Sequence, residues 1–343
     1  VNPFSLVESR VSLLRLPLKR PFTTALGTKT QTVNAVVQVR LASGARGRGE
    51  ASSSVVWAAL TPSRLAAALR TLGRRFHGRD ARGLSEEAFA AVRHAAPAAS
   101  AFECALAEAT ARAEGISMWS RFGGARIRLR TDLTLSAQGS REAREAARAA
   151  RREGFRTLKV KVGTGGPAAD FARVTAAHRA GGAPRLLLDG NQKLGVTGAL
   201  RLVDRCLSRG IRAVLLEQPV PADDFSGLIA CARRCPIPVA ADESLRSVED
   251  ARRFADAGVK VAFNVKVAKT GMERSLLIAS LAKAAGFPLM IGCMQESAAG
   301  LDASFALAAG TGWFRFVDLD SDHLLAGGPA GSFRRDGPLL RLS

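Results

Sequence analysis

Five short apolar segments each end in charged side chains at a nearly fixed interval: Lys159 and Lys161 in TLKVKVG, Asp189 in LLLDGN, Glu217 in LLEQP, Asp242 in VAADES and Lys266 in FNVKVAK. From Lys161 onward the steps are 28, 28, 25 and 24 residues. That is the length of one strand, one helix and two connections, so each charge tops a successive parallel strand. IRLRTDLTLS before this series, and PLMIGCMQ and FRFVDLD after it, bring the expected strands to eight. Amphipathic segments such as SREAREAARAARREG and SVEDARRFADAG separate them. Eight such units close most economically into a barrel, so the expected fold class is α/β, a TIM-type barrel over residues 123–320.

Residues 1–122 lack that rhythm. VSLLRLPLKRPF and TVNAVVQVRLASGARGRGEA alternate apolar and polar residues like antiparallel strands, with Gly44, Gly47 and Gly49 as breakers. Helical stretches follow, the last ending at Gly115. Strands followed by helices predict a separate α+β domain. The Gly- and Pro-rich tail, 321–343, is expected to pack back on it.

The three carboxylates of the series come from consecutive strands and converge at the barrel mouth, where catalytic groups of such barrels sit. Hard oxygen ligands with no Cys or His beside them suit Mg²⁺. Lys159 and Lys161, two apart on one strand, point the same way, into the barrel. Lys266 lies three strands beyond that of Asp189, roughly opposite Lys161, so a substrate on the metal has an amine near each face. An Asp after a strand can equally be the N-cap of the next helix. A buried Lys-Val-Lys has no such explanation, because unpaired buried lysines are costly.

Net charge is +20 at pH 7, but the basic residues are dispersed as Arg-Arg pairs through Ala-rich helices, and the chain has no Tyr for base stacking. No nucleic-acid partner is expected. The apolar runs fall short of the roughly 20 residues that cross a bilayer, and no signal-peptide pattern opens the chain, so no membrane partner and a cytoplasmic location are expected. Five scattered cysteines suit reduced thiols. A homo-oligomer is compatible with all of this. The four histidines are isolated, with His323 alone near the expected mouth.

The ordered set KVK, DGNQ, EQP, ADES and NVKVAKTG resembles the enolase superfamily, in its muconate-lactonizing-enzyme subgroup, across essentially the whole chain. The resemblance implies a modified (β/α)7β barrel with an α+β capping domain made from the N-terminal part and the tail. It implies Mg²⁺ held by Asp189, Glu217 and Asp242, acid/base lysines Lys161 and Lys266, and Lys159 on the substrate carboxylate. Lysine bases with a metal-stabilised enediolate are the general pattern of such sites. Asp318 and Asp320 in FVDLDSDHLL resemble the Asp-x-Asp of dipeptide epimerases, which grips the α-ammonium group of the dipeptide. Glu296, in IGCMQES, and Thr134 would complete the substrate-binding set. The implied activity is Mg²⁺-dependent epimerisation of dipeptides, making the chain an isomerase acting on a small molecule. N-acylamino acid racemase, o-succinylbenzoate synthase or a muconate-type cycloisomerase would use the same site.

Departures from the family pattern, such as Met272 in KTGM, fall where specificity rather than chemistry is set. Two capping loops, about 19–30 and 51–57, are expected to close over the substrate. Arg20 and Lys29 suit an acidic side chain there; Phe22, Val55, Val56 and Trp57 suit an apolar one.

Overall fold

A computed structural model describes residues 2–24, 27–54 and 59–343 of the chain; Val55, Val56 and Trp57, assigned above to a substrate loop, lie outside the described residues. The N-terminal part builds an antiparallel sheet of β1 (Leu6–Thr24), β2 (Gly27–Leu41) and β3 (Arg46–Ala51). Helices α1 (Pro62–Arg75), α2 (Ser85–Ala91), α3 (Ala96–Ala113) and α4 (Met118–Arg121) follow. Gly47 and Gly49 are not breakers. They sit inside β3, where an added Cβ would lie 1.9 Å from the Ala105 carbonyl oxygen and 1.7 Å from that of Ala101. Only glycine lets α3 lie this close on the strand backbone. Gly44, with φ of +88°, is the turn residue of the three.

Parallel ladders join β5 (Leu133–Leu135), β6 (Thr157–Lys161), β7 (Arg185–Asp189), β8 (Ala213–Glu217), β9 (Val239–Ala241), β10 (Ala262–Val265), β11 (Leu289–Ile291) and β12 (Phe316–Val317) in that order. Between them run α5 (Ser140–Arg152), α6 (Gly166–Ala180), α7 (Gly195–Leu207), α8 (Phe225–Arg234) and α9 (Val248–Asp256), then α10 (Val267–Thr270), α11 (Met272–Ala285) and α12 (Asp302–Thr311). This is seven β/α units and an eighth strand. The curled sheet closes without a ladder: the Asp132 N–H donates to the Val317 carbonyl at 3.0 Å, and the Leu319 N–H to Thr131 Oγ1 at 2.8 Å.

The expected first strand, IRLRTDLTLS, is two strands in different sheets. Its first half is β4 (Arg128–Arg130), which pairs with the C-terminal hairpin, and the chain passes through Thr131 and Asp132 into β5 of the barrel sheet. After the short α13 (Ser321–Leu324), Leu325 bridges to Leu18 of β1. β13 (Phe333–Asp336) and β14 (Leu339–Leu342) then form the hairpin that takes β4 as its third strand.

Two apolar cores result, one inside the N-terminal part and one between barrel and outer helices. The amphipathic pattern of α5 shows why: Ala143, Ala147 and Ala150 face the strands, while Arg151 and Arg152 end the helix where its dipole favours cations. Helix α3 links the cores. It buries Phe102 against the N-terminal sheet, and from its other face Ser100 Oγ donates to the Val267 carbonyl at 2.6 Å. Full burial of a side chain like Phe102 contributes roughly 1.5–3 kcal/mol.

Candidate active site

Strand alternation explains how the mouth is made. Leu187, Leu215, Ala240, Ala262, Met290 and Phe316 fill the barrel interior. Two residues further along their strands, on the same face, stand Asp189, Glu217, Asp242, Asn264, Gly292 and Asp318. An apolar floor therefore carries a polar layer directly above it. Register sets the neighbours: Lys161 faces Asp189 across β6 and β7, and Asp189 faces Glu217 across β7 and β8. Gly292 is needed in this layer, because a Cβ there would lie 2.5 Å from Asn264 Oδ1 and 2.8 Å from Lys266 Cε.

The charged groups are almost fully buried and paired across strands. Lys159 Nζ lies 2.7 Å from Asp318 Oδ2, 2.8 Å from Glu217 Oε2 and 3.3 Å from Asp189 Oδ2. Lys161 Nζ lies 2.6 Å from Asp189 Oδ2, and Lys266 Nζ lies 2.6 Å from Asp242 Oδ2. The two outer amines thus rest on different carboxylates, with Lys159 between. Asp320 Oδ2 accepts the Thr134 N–H at 2.6 Å, and Thr134 Oγ1 is 3.5 Å from Asp318 Oδ1. Of the expected catalytic, metal-holding and substrate-binding residues, Glu296 stands apart from this cluster. It lines a second cavity, between α3 and the barrel, and its Oε2 accepts the Met294 N–H at 2.9 Å.

Electrostatics follow from burial and neighbours. Burial opposes the charges on Lys159 and Lys266, but the carboxylates beside them outweigh it and hold both above the usual lysine range. Burial likewise works against the charge on Asp242, yet Lys266, Lys269 and Lys159 keep it well below the usual carboxylate range. Glu217 goes the other way: burial, then the nearby Asp189 charge, push it up to about 8. Glu243 is pushed up to about 7 by burial and by Asp242, and Asp320 to about 6 by burial and by Asp318.

These shifts are those of an acid cluster short of cations. Among the described residues the buried acids Asp132, Asp189, Glu217, Asp242, Glu243, Asp318 and Asp320 share this end with the buried amines Lys159, Lys161, Lys266 and Lys269, three more acids than amines. Glu217 Oε2 makes no hydrogen bond despite the nearby amine. An all-oxygen, anion-rich donor set of this kind fits a hard divalent cation.

Several members escaped sequence reasoning. Lys269 Nζ lies 2.7 Å from Asp242 Oδ1 and 2.6 Å from its carbonyl oxygen; its signal was a second lysine one helical turn after Lys266. Asn264 Nδ2 donates to Glu217 Oε1 at 2.8 Å. Asp132 is 2% exposed, neither of its carboxylate oxygens has a hydrogen-bond partner, and its ligand atoms converge with those of Asp318 and Asp320 within 4.8 Å. Burial and those two neighbours push it well above the carboxylate range. An aspartate inside the apolar run TDLTLS was the available clue.

Phe22, Lys29, Ser53 and Leu324 overhang a mouth cavity of about 120 Å³ that contains Lys161, Lys266, Asp318 and Asp320. Lys29 Nζ donates to the Ser53 carbonyl at 2.7 Å, tying together the two N-terminal loops. Arg20 is exposed and outside the cavity lining. His323 pairs instead with Glu153, its Nε2 2.9 Å from Oε2.

A β/α barrel with buried lysines and carboxylates at its mouth, roofed by a separate α+β part, defines a class of metal-assisted acid/base enzymes. Family comparison agrees: residues 7–123 match the mandelate racemase/muconate lactonizing enzyme N-terminal domain, and 141–336 the enolase C-terminal domain-like family. The chain belongs to the mandelate racemase/muconate lactonizing enzyme family of the enolase superfamily. It is 35% identical to an aromatic dipeptide epimerase from Herpetosiphon aurantiacus, over 99% of this chain and 97% of that protein. A mandelate racemase/muconate lactonizing protein of known structure from Herpetosiphon aurantiacus superposes with a TM-score of 0.96 at 34% identity, covering 100% of this chain and 97% of the other. A dipeptide epimerase from Enterococcus faecalis V583, solved with Mg and L-Leu-L-Tyr, gives 0.92 at 29% identity, covering 99% and 97%. Among the described residues no helix is long and apolar enough to cross a membrane.

Proposed function

We propose that this chain is a dipeptide epimerase that removes and returns the proton α to the C-terminal carboxylate. The observation that carries the reading is the placement of Lys161 and Lys266 on separate carboxylates, Asp189 and Asp242, with Lys159 and the Asp318–Asp320 pair between them. One amine takes the proton from one face of the α-carbon and the other returns a proton to the opposite face. Lys159, the most deeply buried amine, faces the substrate carboxylate and stabilises the charge that reaches it as the proton leaves. Asp318 and Asp320 receive the α-ammonium group, whose charge suits two acidic side chains on one strand face.

Asp189, Glu217 and Asp242 would hold Mg²⁺, which supplies Lewis-acid stabilisation of the carboxylate side of the substrate. Thr134 fixes the Asp pair through its N–H and hydroxyl, so the acceptors stand pre-organised. Phe22, Lys29, Ser53 and Leu324 overhang the site, where a bound substrate that displaces water would strengthen each of these interactions. The relatives named above, two of them dipeptide epimerases, support the substrate class.

The test is a panel of L,L-dipeptides incubated with Mg²⁺ in D₂O. Deuterium appears at the α-carbon of the C-terminal residue, with loss of its stereochemical purity. Exchange confined to N-acylamino acids, with dipeptides inert, overturns the reading in favour of a racemase.

A further inference from the structure

The opposite end of the barrel holds a second concentration of charge. A cavity of about 500 Å³ opens there, with Arg126, Arg128, Arg130, Arg185 and Arg315 in its wall. Arg185 is on the inward face of β7, two residues before Leu187 of the barrel floor and four before Asp189, so its side chain enters the opening. None of the five makes a side-chain hydrogen bond or ion pair with a described residue. Some arginines elsewhere do find acids: Arg79 with Glu87, Arg82 with Asp80, Arg274 with Glu86.

Strand register sharpens the contrast. In the small sheet of β4, β14 and β13, Arg128 stands opposite Arg341 and Arg341 opposite Arg334, three guanidinium groups abreast on one exposed face. Like charges directly opposite each other are destabilising. Just before them the backbone is held at Arg126, whose carbonyl accepts from Trp119 Nε1 at 2.7 Å and whose N–H donates to the Ala309 carbonyl at 2.9 Å. The one acidic residue in the wall is Asp132, which is buried.

We propose that this amino-end opening binds a compact, multiply charged anion. Guanidinium groups pair with phosphate and carboxylate oxygens through two parallel N–H donors, and five around one concavity can share several anionic groups. The volume falls in the range of small-ligand sites, roughly 300–1,000 Å³, which favours a compact anion over a polymer lying across the surface. The inference is independent of the reaction at the mouth.

Calorimetric titration with inorganic triphosphate and, separately, citrate at matched ionic strength tests it. One saturable site is expected, and the tighter of the two probes tells whether phosphate or carboxylate is the preferred source of charge. Arg185→Gln and Arg315→Gln are each expected to weaken binding about tenfold, the loss of one charge-assisted contact. The triple change with Arg130→Gln removes it, with unchanged melting and unchanged turnover at the mouth. Absence of saturable binding for both probes, or equal affinity in the triple variant, overturns the proposal. So does a duplex oligonucleotide that binds more tightly than either probe and is not displaced by them.

Discussion

The two ends of this barrel treat charge in opposite ways. At the carboxyl end, four lysines and their carboxylates are at most 8% exposed and every amine touches an acid. At the amino end, five arginines share a cavity whose one acidic wall residue is the buried Asp132, and none of them pairs with it. Burying an ion costs several kcal/mol unless a partner compensates, so the mouth exists only because neighbouring strands supply opposite charges in register. The exposed arginines keep their water and need no partner. The mouth is thus a structure in which every group depends on the others, and the base is a set of independent charges.

The comparison breaks most visibly by removing an amine. Lys161→Ala and Lys266→Ala are each expected to lower epimerisation by about 10²–10⁴-fold, the range for general acid/base groups. Each variant keeps α-deuterium exchange from the surviving face with one substrate enantiomer. Loss of exchange from both faces in both variants would contradict the two-sided arrangement.

Stability against pH probes a buried acid that belongs to neither end. Glu103 of α3 accepts the N–H groups of Met272 and Glu273 at 2.9 Å each, and burial pushes it from 4.5 up to about 7. A carboxyl whose pKa rises on folding holds its proton more tightly when folded, so its penalty is absent below 4.5 and complete above about 7. Relative to Glu103→Gln, the wild type should therefore lose on the order of 3 kcal/mol across that window. Urea melts at pH 4.5 and 8 measure it.

Mg²⁺ at about a hundred times its dissociation constant should stabilise the wild type by about 2.7 kcal/mol, seen as a raised melting temperature. Asp189→Asn should erase most of that gain. Asp318→Asn and Asp320→Asn should cost about 10–100-fold in kcat/KM for dipeptides, the worth of a charge-assisted hydrogen bond, while sparing N-acyl substrates. At the base, Arg185→Gln and Arg315→Gln should leave stability within about 0.5 kcal/mol.

The same contrast explains what could be read from the sequence. Lys159, Lys161, Asp189, Glu217, Asp242 and Lys266 were legible because a charge at the end of an apolar strand breaks a pattern, and the interval between breaks repeats. Asp318 and Asp320 came through resemblance to a family motif. Asn264 and Lys269 were not legible, since their importance lies in which carboxylate they reach across the barrel. Asp132 sits in the link between two strands of different sheets, and reading one strand across that break concealed it. Gly47 and Gly49 looked like turn residues because glycine in a strand and glycine in a turn are the same letter; only the approach of α3 distinguishes them. The arginine cavity was hidden for a further reason: it joins the 126–130 segment to Arg185 and Arg315 from distant parts of the chain, within a composition already rich in arginine.

Helix α3 has a bearing on how the enzyme admits its substrate. Its carbonyl oxygens abut the glycines of β3, while Ser100 and Glu103 reach into the barrel and hold α10 and the start of α11. One helix is thereby keyed into both halves, so the N-terminal sheet that carries Phe22 and Lys29 over the chamber is anchored to the same element that braces the barrel.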